Sequence, residues 1–98
     1  MKISKNVLKR VDAGVAFLNV VKPDWLKRID VSKLDLGNAK VCILGELYNS
    51  YENGVLVLGL DDETSSISLG FYDFDKRQYE QLTQAWKNKI TKLRKVKI

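Results

Sequence analysis

The chain has 98 residues, of which 45% are hydrophobic and 30% charged, and it carries a net charge of +5. This composition is typical of one folded globular domain and excludes a disordered chain, which would contain fewer apolar residues. The single cysteine excludes an internal disulfide, and the lack of histidine removes the commonest general base and the commonest metal ligand. We therefore expect a single domain over residues 1–98 that is not an enzyme and has no catalytic residue, cofactor or metal.

Residues 4–21 are predicted to form an amphipathic helix, because apolar side chains recur along them at spacings of three and four. These side chains are Val7, Leu8, Val11, Val15, Leu18 and Val21. Ser4 is a suitable N-cap, and Pro23 ends the helix because it lacks a backbone N–H and crowds the residue before it. Beyond Pro23 we expect a short turn with Trp25 facing the core, followed by an irregular connection over residues 30–37.

Residues 38–60 allow two interpretations. A helix is favoured by a continuous apolar stripe at helical spacing, with Asn38 as N-cap and Gly59 beyond the last turn. The stripe consists of Val41, Leu44, Tyr48, Tyr51, Val55 and Leu58. A β-hairpin over 41–48 and 55–60 is favoured by the turn dipeptide Asn53-Gly54, and glycine costs a helix interior about 1 kcal/mol. These patterns alone leave the two interpretations even.

The last third of the chain is predicted to form two helices. Residues 61–70 begin with three acids, which suit the positive end of a helix dipole, and Gly70 follows as a stop. Asp75 and Gln78 resemble a capping box at the start of a long helix. Its apolar stripe is Tyr79, Leu82, Trp86, Ile90 and Leu93. We expect the first and last long helices to pack together and to join the two basic ends of the chain into one patch.

The middle of the chain contains several short motifs in a fixed order. They are RID at 28–30, LDL at 34–36, CILGELY at 42–48, LGL at 58–60 and LTQAW at 82–86. This order resembles short uncharacterised proteins encoded by bacteriophages, prophages and mobile elements of Gram-positive bacteria. The resemblance extends over residues 10–90, and Glu46 stands where the family pattern has glutamine.

The resemblance implies a shared all-α core, a phage-associated origin and a cytoplasmic location in the bacterial host, and it implies no catalytic residue. It also favours the helix over the hairpin in the ambiguous segment. We therefore predict a mostly α fold, a small single-domain helical bundle. The alternative is an α+β fold in which a hairpin at 41–48/55–60 packs on the N-terminal and C-terminal helices.

Basic residues are concentrated at the two ends of the chain. Residues 87–98 carry six basic groups and no acid, and residues 1–10 carry four basic groups and no acid, so the body between them is acidic. The basic C-terminal helix tail, residues 87–98, is a solvated helix end or a contact for nucleic-acid phosphates or an acidic protein. Its candidate partner-binding residues are Lys87, Lys89, Lys92, Arg94 and Lys95.

Tyr48 and Tyr51 are the other candidate partner-binding residues. Three positions apart, they share one face of the predicted helix, where tyrosine serves either core packing or a protein interface. Cys42 lies in an apolar run and is predicted to be a buried core residue. Five acidic residues lie between positions 61 and 75: Asp61, Asp62, Glu63, Asp73 and Asp75. They are predicted to serve as helix caps and solvated surface, or to form an acidic face for a nucleic-acid-binding protein.

These features predict a non-enzymatic phage or mobile-element binding protein that acts on a host protein. An inhibitor of a host defence system, such as an anti-CRISPR protein, is the specific form of this hypothesis. The alternative is a small nucleic-acid-binding accessory protein that uses the basic C-terminal helix. A membrane partner is not expected, because the apolar stripe of that helix is needed for the core. The sequence gives no indication of the oligomeric state.

Overall fold

In the computed structural model, which describes residues 2–60 and 62–96, the regular structure consists of six helices. They are α1 (Lys5–Val21), α2 (Trp25–Arg28), α3 (Ile43–Tyr48), α4 (Tyr51–Leu58), α5 (Glu63–Ser68) and α6 (Gln78–Val96). The predicted mostly α fold is confirmed. Because the described residues contain no strand, the alternative with a hairpin at 41–48/55–60 is wrong.

The first and last helices form as predicted, although Leu8 and Val21 of the predicted α1 stripe are exposed. The Ser4 hydroxyl accepts a hydrogen bond from the Val7 N–H at 3.1 Å, which confirms Ser4 as the N-cap of α1. At the other end, the Lys22 N–H bonds to the Leu18 carbonyl oxygen, one residue before Pro23. The buried residues of α6 are Leu82, Ala85, Trp86 and Ile90.

Helices α1 and α6 pack side by side and run in the same direction. The Ser4 N–H donates to Gln81 Oε1 at 2.9 Å, and Asp12 pairs with Lys89 at 2.7 Å, so successive positions on one helix meet successive positions on the other. The predicted packing of the two long helices is confirmed, and their parallel course leaves the first basic residues of α1 distant from the last ones of α6. At a rise of about 1.5 Å per residue, Gln81 and Lys95 lie about 20 Å apart.

The segment predicted as one helix from residue 38 is two helices. Asn49 adopts a left-handed conformation, with φ of 77°, and ends α3; the Ser50 hydroxyl then accepts from the Asn53 N–H and begins α4. The predicted cap at Asn38 is also wrong. Its side chain accepts from the Lys40 N–H inside a turn, and α3 begins only at Ile43.

Helices α3 and α4 cross at Gly54. A Cβ added to this glycine would lie 2.8 Å from Leu44 Cβ, which is closer than two carbon atoms can approach. The missing side chain therefore allows the two short helices to pack directly against each other. This close packing outweighs the cost of glycine in a helix interior, which is about 1 kcal/mol.

The chain from α4 to α6 turns at positions that the sequence marks. Gly59 and Gly70 have φ of 69° and 72°, so both predicted stops are confirmed. Asp62 caps α5 by accepting from the Ser65 N–H, while Asp61 lies outside the described residues. The capping box predicted before α6 is wrong, because its first member, Asp75, bonds to Arg77 through its side chain.

One hydrophobic cluster fills the centre of the molecule, and Trp86 lies at its middle. Trp25 meets the Trp86 ring edge-on at 6.0 Å and Phe71 stacks on it at 5.9 Å, which confirms both tryptophans as core residues. The Trp86 Nε1–H donates to the Gly70 carbonyl oxygen at 2.7 Å, so its polar atom is satisfied inside the core. Among the described residues, no helix is long and apolar enough to cross a membrane.

Candidate functional site

Two of the five candidate basic residues in the C-terminal tail support the fold. Lys89 pairs with Asp12 on α1, and Arg94 Nη2 donates to the carbonyl oxygens of Leu26 and Ile29, each at 2.6 Å. These contacts attach the end of α6 to α1 on one side and to α2 on the other. Arg94 therefore has a structural use that competes with partner binding.

The three remaining candidate lysines differ in exposure. Lys92 and Lys95 are exposed and Lys87 is half-buried, and none of them forms an ion pair with a described residue. Lys27 of α2 lines a shallow groove together with Leu93 and Val96 of α6, and Lys92 and Lys95 directly precede these two residues in the chain. We call Lys27, Lys92 and Lys95 the basic pole.

The structure separates the two candidate tyrosines. Tyr48 is half-buried at the end of α3, and Lys22 Nζ lies 5.6 Å from the centre of its ring. Burial first, and then the nearby Asp24 carboxylate, raise the pKa of Tyr48. Tyr51 begins α4 on another side, because the left-handed Asn49 interrupts the helix that would have aligned the two rings. The prediction that they share one helical face is wrong.

Tyr51 instead belongs to a row of aromatic rings. Its ring stacks on Tyr72 with centroids 5.4 Å apart, and Tyr72 meets Phe74 edge-on at 5.6 Å. Phe74 ends the row with 68% of its surface exposed. An exposed phenylalanine attached to two stacked tyrosines forms a continuous aromatic surface, which sequence spacing did not reveal because its members come from separate segments.

A cleft of about 360 Å³ opens beside this row. We call it the tyrosine cleft. Its aromatic and charged lining is Tyr51, Tyr72, Tyr79, Glu52 and Glu63, and its floor includes Leu36, Cys42 and Phe71. The cleft combines π faces, carboxylates and an apolar floor, and none of the residues that line it is basic.

Buried polar contacts hold the aromatic loop against the rest of the fold. The Tyr79 hydroxyl donates to the Asp73 carbonyl oxygen at 2.8 Å and accepts from the Asp73 N–H at 3.2 Å. Arg10 pairs with the Asp73 carboxylate at 3.1 Å and donates to the carbonyl oxygens of Ile67 and Tyr72. The loop is therefore bonded at Tyr72 by Arg10 of α1 and at Asp73 by both Arg10 and Tyr79 of α6, and these bonds hold this wall of the cleft in place.

Two tyrosines of the cleft wall are affected by burial. It is the main cause that raises the pKa of the Tyr51 and Tyr79 hydroxyls, which stay protonated at neutral pH. Ser66 is fully buried next to Tyr51, although its Oγ makes no hydrogen bond of acceptable geometry with a described residue.

The buried position predicted for Cys42 is confirmed. Its side chain is 2% exposed, and burial raises the pKa of the thiol, so the reactive thiolate form is disfavoured. The sulfur accepts from the Gly45 N–H at 3.3 Å, which gives it a structural use as the N-cap of α3.

The acids predicted to form caps or an acidic face divide between the two uses. Asp62 caps α5, Asp73 pairs with Arg10, and Asp75 pairs with Arg77. Glu63 is exposed in the tyrosine cleft, together with Glu52, which the sequence did not single out. Neither glutamate forms an ion pair or hydrogen bond with a described residue.

A second groove continues from the tyrosine cleft along α4. It shares Tyr51, Glu52 and Glu63 with the cleft and adds Val55, Leu56 and Leu60. Leu56 is 76% exposed, although it belongs to a helix with a buried side. The row, the cleft and this groove together form one surface, which we call the aromatic–acidic face.

No group of three or more acidic, cysteine or histidine side chains in residues 2–60 and 62–96 has an arrangement that could hold a metal ion. Comparison with protein-family models, curated proteins and solved structures finds no match to this chain. The candidate site is therefore defined by its own geometry. Of its members, Tyr51 was a predicted partner-binding residue, and Glu63 was among the acids predicted to form caps or an acidic face.

Proposed function

We propose that the protein is a non-enzymatic binding protein of a phage or mobile element that acts on a host protein in the bacterial cytoplasm. The observation that supports this proposal is the aromatic–acidic face. It joins exposed apolar side chains, stacked tyrosines and unpaired carboxylates in one continuous surface.

The composition of this face is that of an interface centre. Single exposed apolar residues are common on soluble proteins, but Phe74 and Leu56 adjoin the same tyrosine row and cleft. Tyrosine and phenylalanine are enriched at protein interfaces because they bury a large area with few rotatable bonds. The bonds from Arg10 and Tyr79 hold the loop in place, so little conformational entropy is lost when a partner binds.

The charge of the face supports a partner with a basic surface. Nucleic-acid-binding proteins present such surfaces to phosphates, and an acidic partner can cover them. A small rigid domain that covers such a surface acts as an inhibitor without any chemistry of its own. This is the physical form of the anti-CRISPR hypothesis, in which the covered protein belongs to a host defence system.

Capture from a lysate tests the proposal directly. Tagged wild-type protein, incubated with a Gram-positive lysate that has been treated with nuclease, is expected to retain one host protein in stoichiometric amount. The double variant Leu56→Asp/Phe74→Asp is expected to lose that protein. Val20→Asp is the matched control, because Val20 is 80% exposed on α1 and lines neither groove. Equal retention by wild type and the double variant would contradict the proposal.

A second function is supported by the basic pole. Lys27, Lys92 and Lys95 are exposed and form no ion pair with a described residue, and unpaired lysines suit phosphate contacts. A small accessory protein that binds nucleic acid independently of sequence would use this end of the molecule.

The test of this second function uses DNA affinity and its salt dependence. Lys92→Glu/Lys95→Glu is expected to weaken binding and flatten the salt dependence, because two phosphate contacts are lost. Lys2→Glu/Lys5→Glu makes the same charge change at the opposite end of the α1–α6 pair and serves as the control. Unchanged affinity in the first variant, or an equal loss in both, would contradict a specific role for the basic pole.

A further inference from the structure

We propose that the tyrosine cleft binds the side chain of an arginine presented by the protein partner. This inference rests on the proposed function and names the chemical group that the cleft recognises. It is argued from the two carboxylates, the aromatic walls and the size of the cleft.

The two carboxylates of the cleft suit a ligand that is positively charged and has several hydrogen-bond donors. Glu52 and Glu63 come from different helices, line the cleft together, and form no ion pair or hydrogen bond with a described residue. Several acids elsewhere are paired or serve as caps, as Asp73 and Asp62 do. A guanidinium has five N–H donors in a planar fork, so it can reach two carboxylates at once, whereas an ammonium is a point charge.

The aromatic walls suit the flat faces of the same group. Tyr51 and Tyr72 are stacked with an angle of 26° between their rings, and both line the cleft. Guanidinium groups stack on aromatic faces and are attracted to the negative charge above the ring. Because both Tyr51 and Tyr79 keep protonated hydroxyls, neither adds a negative charge to that of the glutamates.

The size and floor of the cleft fit an arginine stem. Its volume of about 360 Å³ takes one long side chain but not a nucleic-acid duplex. Leu36 and Phe71 on the floor offer apolar contact to the methylene groups that carry the guanidinium. The adjoining groove at Leu56 would then hold a neighbouring apolar residue of the partner.

The cleft also selects against the alternative ligand class. Two carboxylates and no basic side chain line it, so a phosphate group would be repelled. Nucleic acid is therefore directed to the basic pole. The inference commits the aromatic–acidic face to a protein partner that carries an exposed arginine.

An NMR titration with small probes tests the inference. N-acetyl-arginine amide is expected to shift the ring signals of Tyr51 and Tyr72, while N-acetyl-citrulline amide, which has the same shape without the charge, is expected to leave them unmoved. Glu52→Gln/Glu63→Gln should weaken arginine binding by about tenfold or more, because two charge-assisted hydrogen bonds are lost. Glu80→Gln, an exposed substitution on α6 outside both grooves, is the matched control.

The outcomes separate this inference from the proposed function. Equal shifts with citrulline, no shift with arginine, or full affinity in the Glu52→Gln/Glu63→Gln variant would overturn arginine recognition. Unchanged tyrosine signals in the free double variant exclude loss of fold as the cause of weaker binding. If Leu56→Asp/Phe74→Asp loses the captured protein while the arginine probe does not bind, the proposed function stands and this inference fails.

Discussion

Glu46 holds the chain after α2 by a hydrogen bond to only one of its two carboxylate oxygens. Its Oε1 accepts from the Asp30 N–H at 2.8 Å, whereas its Oε2 is buried and has no partner among the described residues. Burial raises the pKa of this carboxyl above its usual value, against the opposing effect of the Asp30 N–H. A charge here therefore destabilises the folded state at neutral pH.

Replacing Glu46 with glutamine is expected to raise the melting temperature at about pH 7, because the amide oxygen keeps the Asp30 contact without a buried charge. The folded pKa of Glu46 lies above the unfolded one, so the destabilisation is absent below the unfolded pKa, grows as pH rises from the unfolded to the folded pKa, and is complete above the folded pKa. The gain should thus vanish at about pH 4. Circular dichroism melts at both pH values, with Glu80→Gln as control, check this. A loss of stability at pH 7 would contradict it.

Arg94 shows how a residue from a charged tail becomes part of the fold. Arg94→Met is expected to lower the free energy of unfolding by about 2 kcal/mol, because two backbone carbonyls, those of Leu26 and Ile29, lose a charged donor. Lys95→Met removes the same charge from an exposed position without such bonds and should change stability little. Urea denaturation measures both variants, and equal stabilities would remove the structural role assigned to Arg94.

At the scale of elements, Gly14 of α1 packs directly against the Trp86 side chain of α6. A Cβ there would meet the Leu69 carbonyl oxygen and would lie 2.8 Å from Trp86 Cζ2. The Trp86 ring is fully buried and cannot move aside, since Trp25 and Phe71 pack on it. The distance between α1 and the centre of the core is thus set by one missing methyl group.

Gly14→Ala is expected to lower the free energy of unfolding by about 1–3 kcal/mol, in spite of the higher helix propensity of alanine. Gly37→Ala is the matched control, because its added Cβ would have no neighbour closer than 3.4 Å. Chemical denaturation followed by tryptophan fluorescence measures both. A stabilised Gly14→Ala variant would mean that α1 and α6 can separate without cost.

The elements differ in how far the sequence could predict them. The spacing of apolar residues predicts α1 and α6, because helix period and burial agree over four or five turns. The break between α3 and α4 depends on one left-handed residue, Asn49, which leaves the apolar period intact and so is hidden from it. Ser50 followed by Asn53 was the available signal of a new helix start.

At the scale of the whole molecule, the parallel direction of α1 and α6 places the basic residues at the start of α1 far from those at the end of α6. An apolar stripe indicates which side of a helix is buried but not which way the helix runs, so the parallel α1–α6 pair could not be predicted. The same limit applies to the tyrosine cleft. Its members come from distant segments, Tyr51 and Glu52 from α4, Glu63 from α5 and Tyr79 from α6. Only packing brings them together.

The hydrophobic cluster that spans the chain predicts that it unfolds as one cooperative unit. Cys42 belongs to this cluster and is 2% exposed, so a thiol reagent can reach it only when the core opens. Gly14→Ala, which acts on the α1–α6 contact, should therefore speed the labelling of Cys42 by about tenfold for each 1.4 kcal/mol of lost stability. If Gly14→Ala leaves the labelling rate of Cys42 unchanged, α3 opens independently of the α1–α6 contact. The prediction of a single domain over residues 1–98 would then fail.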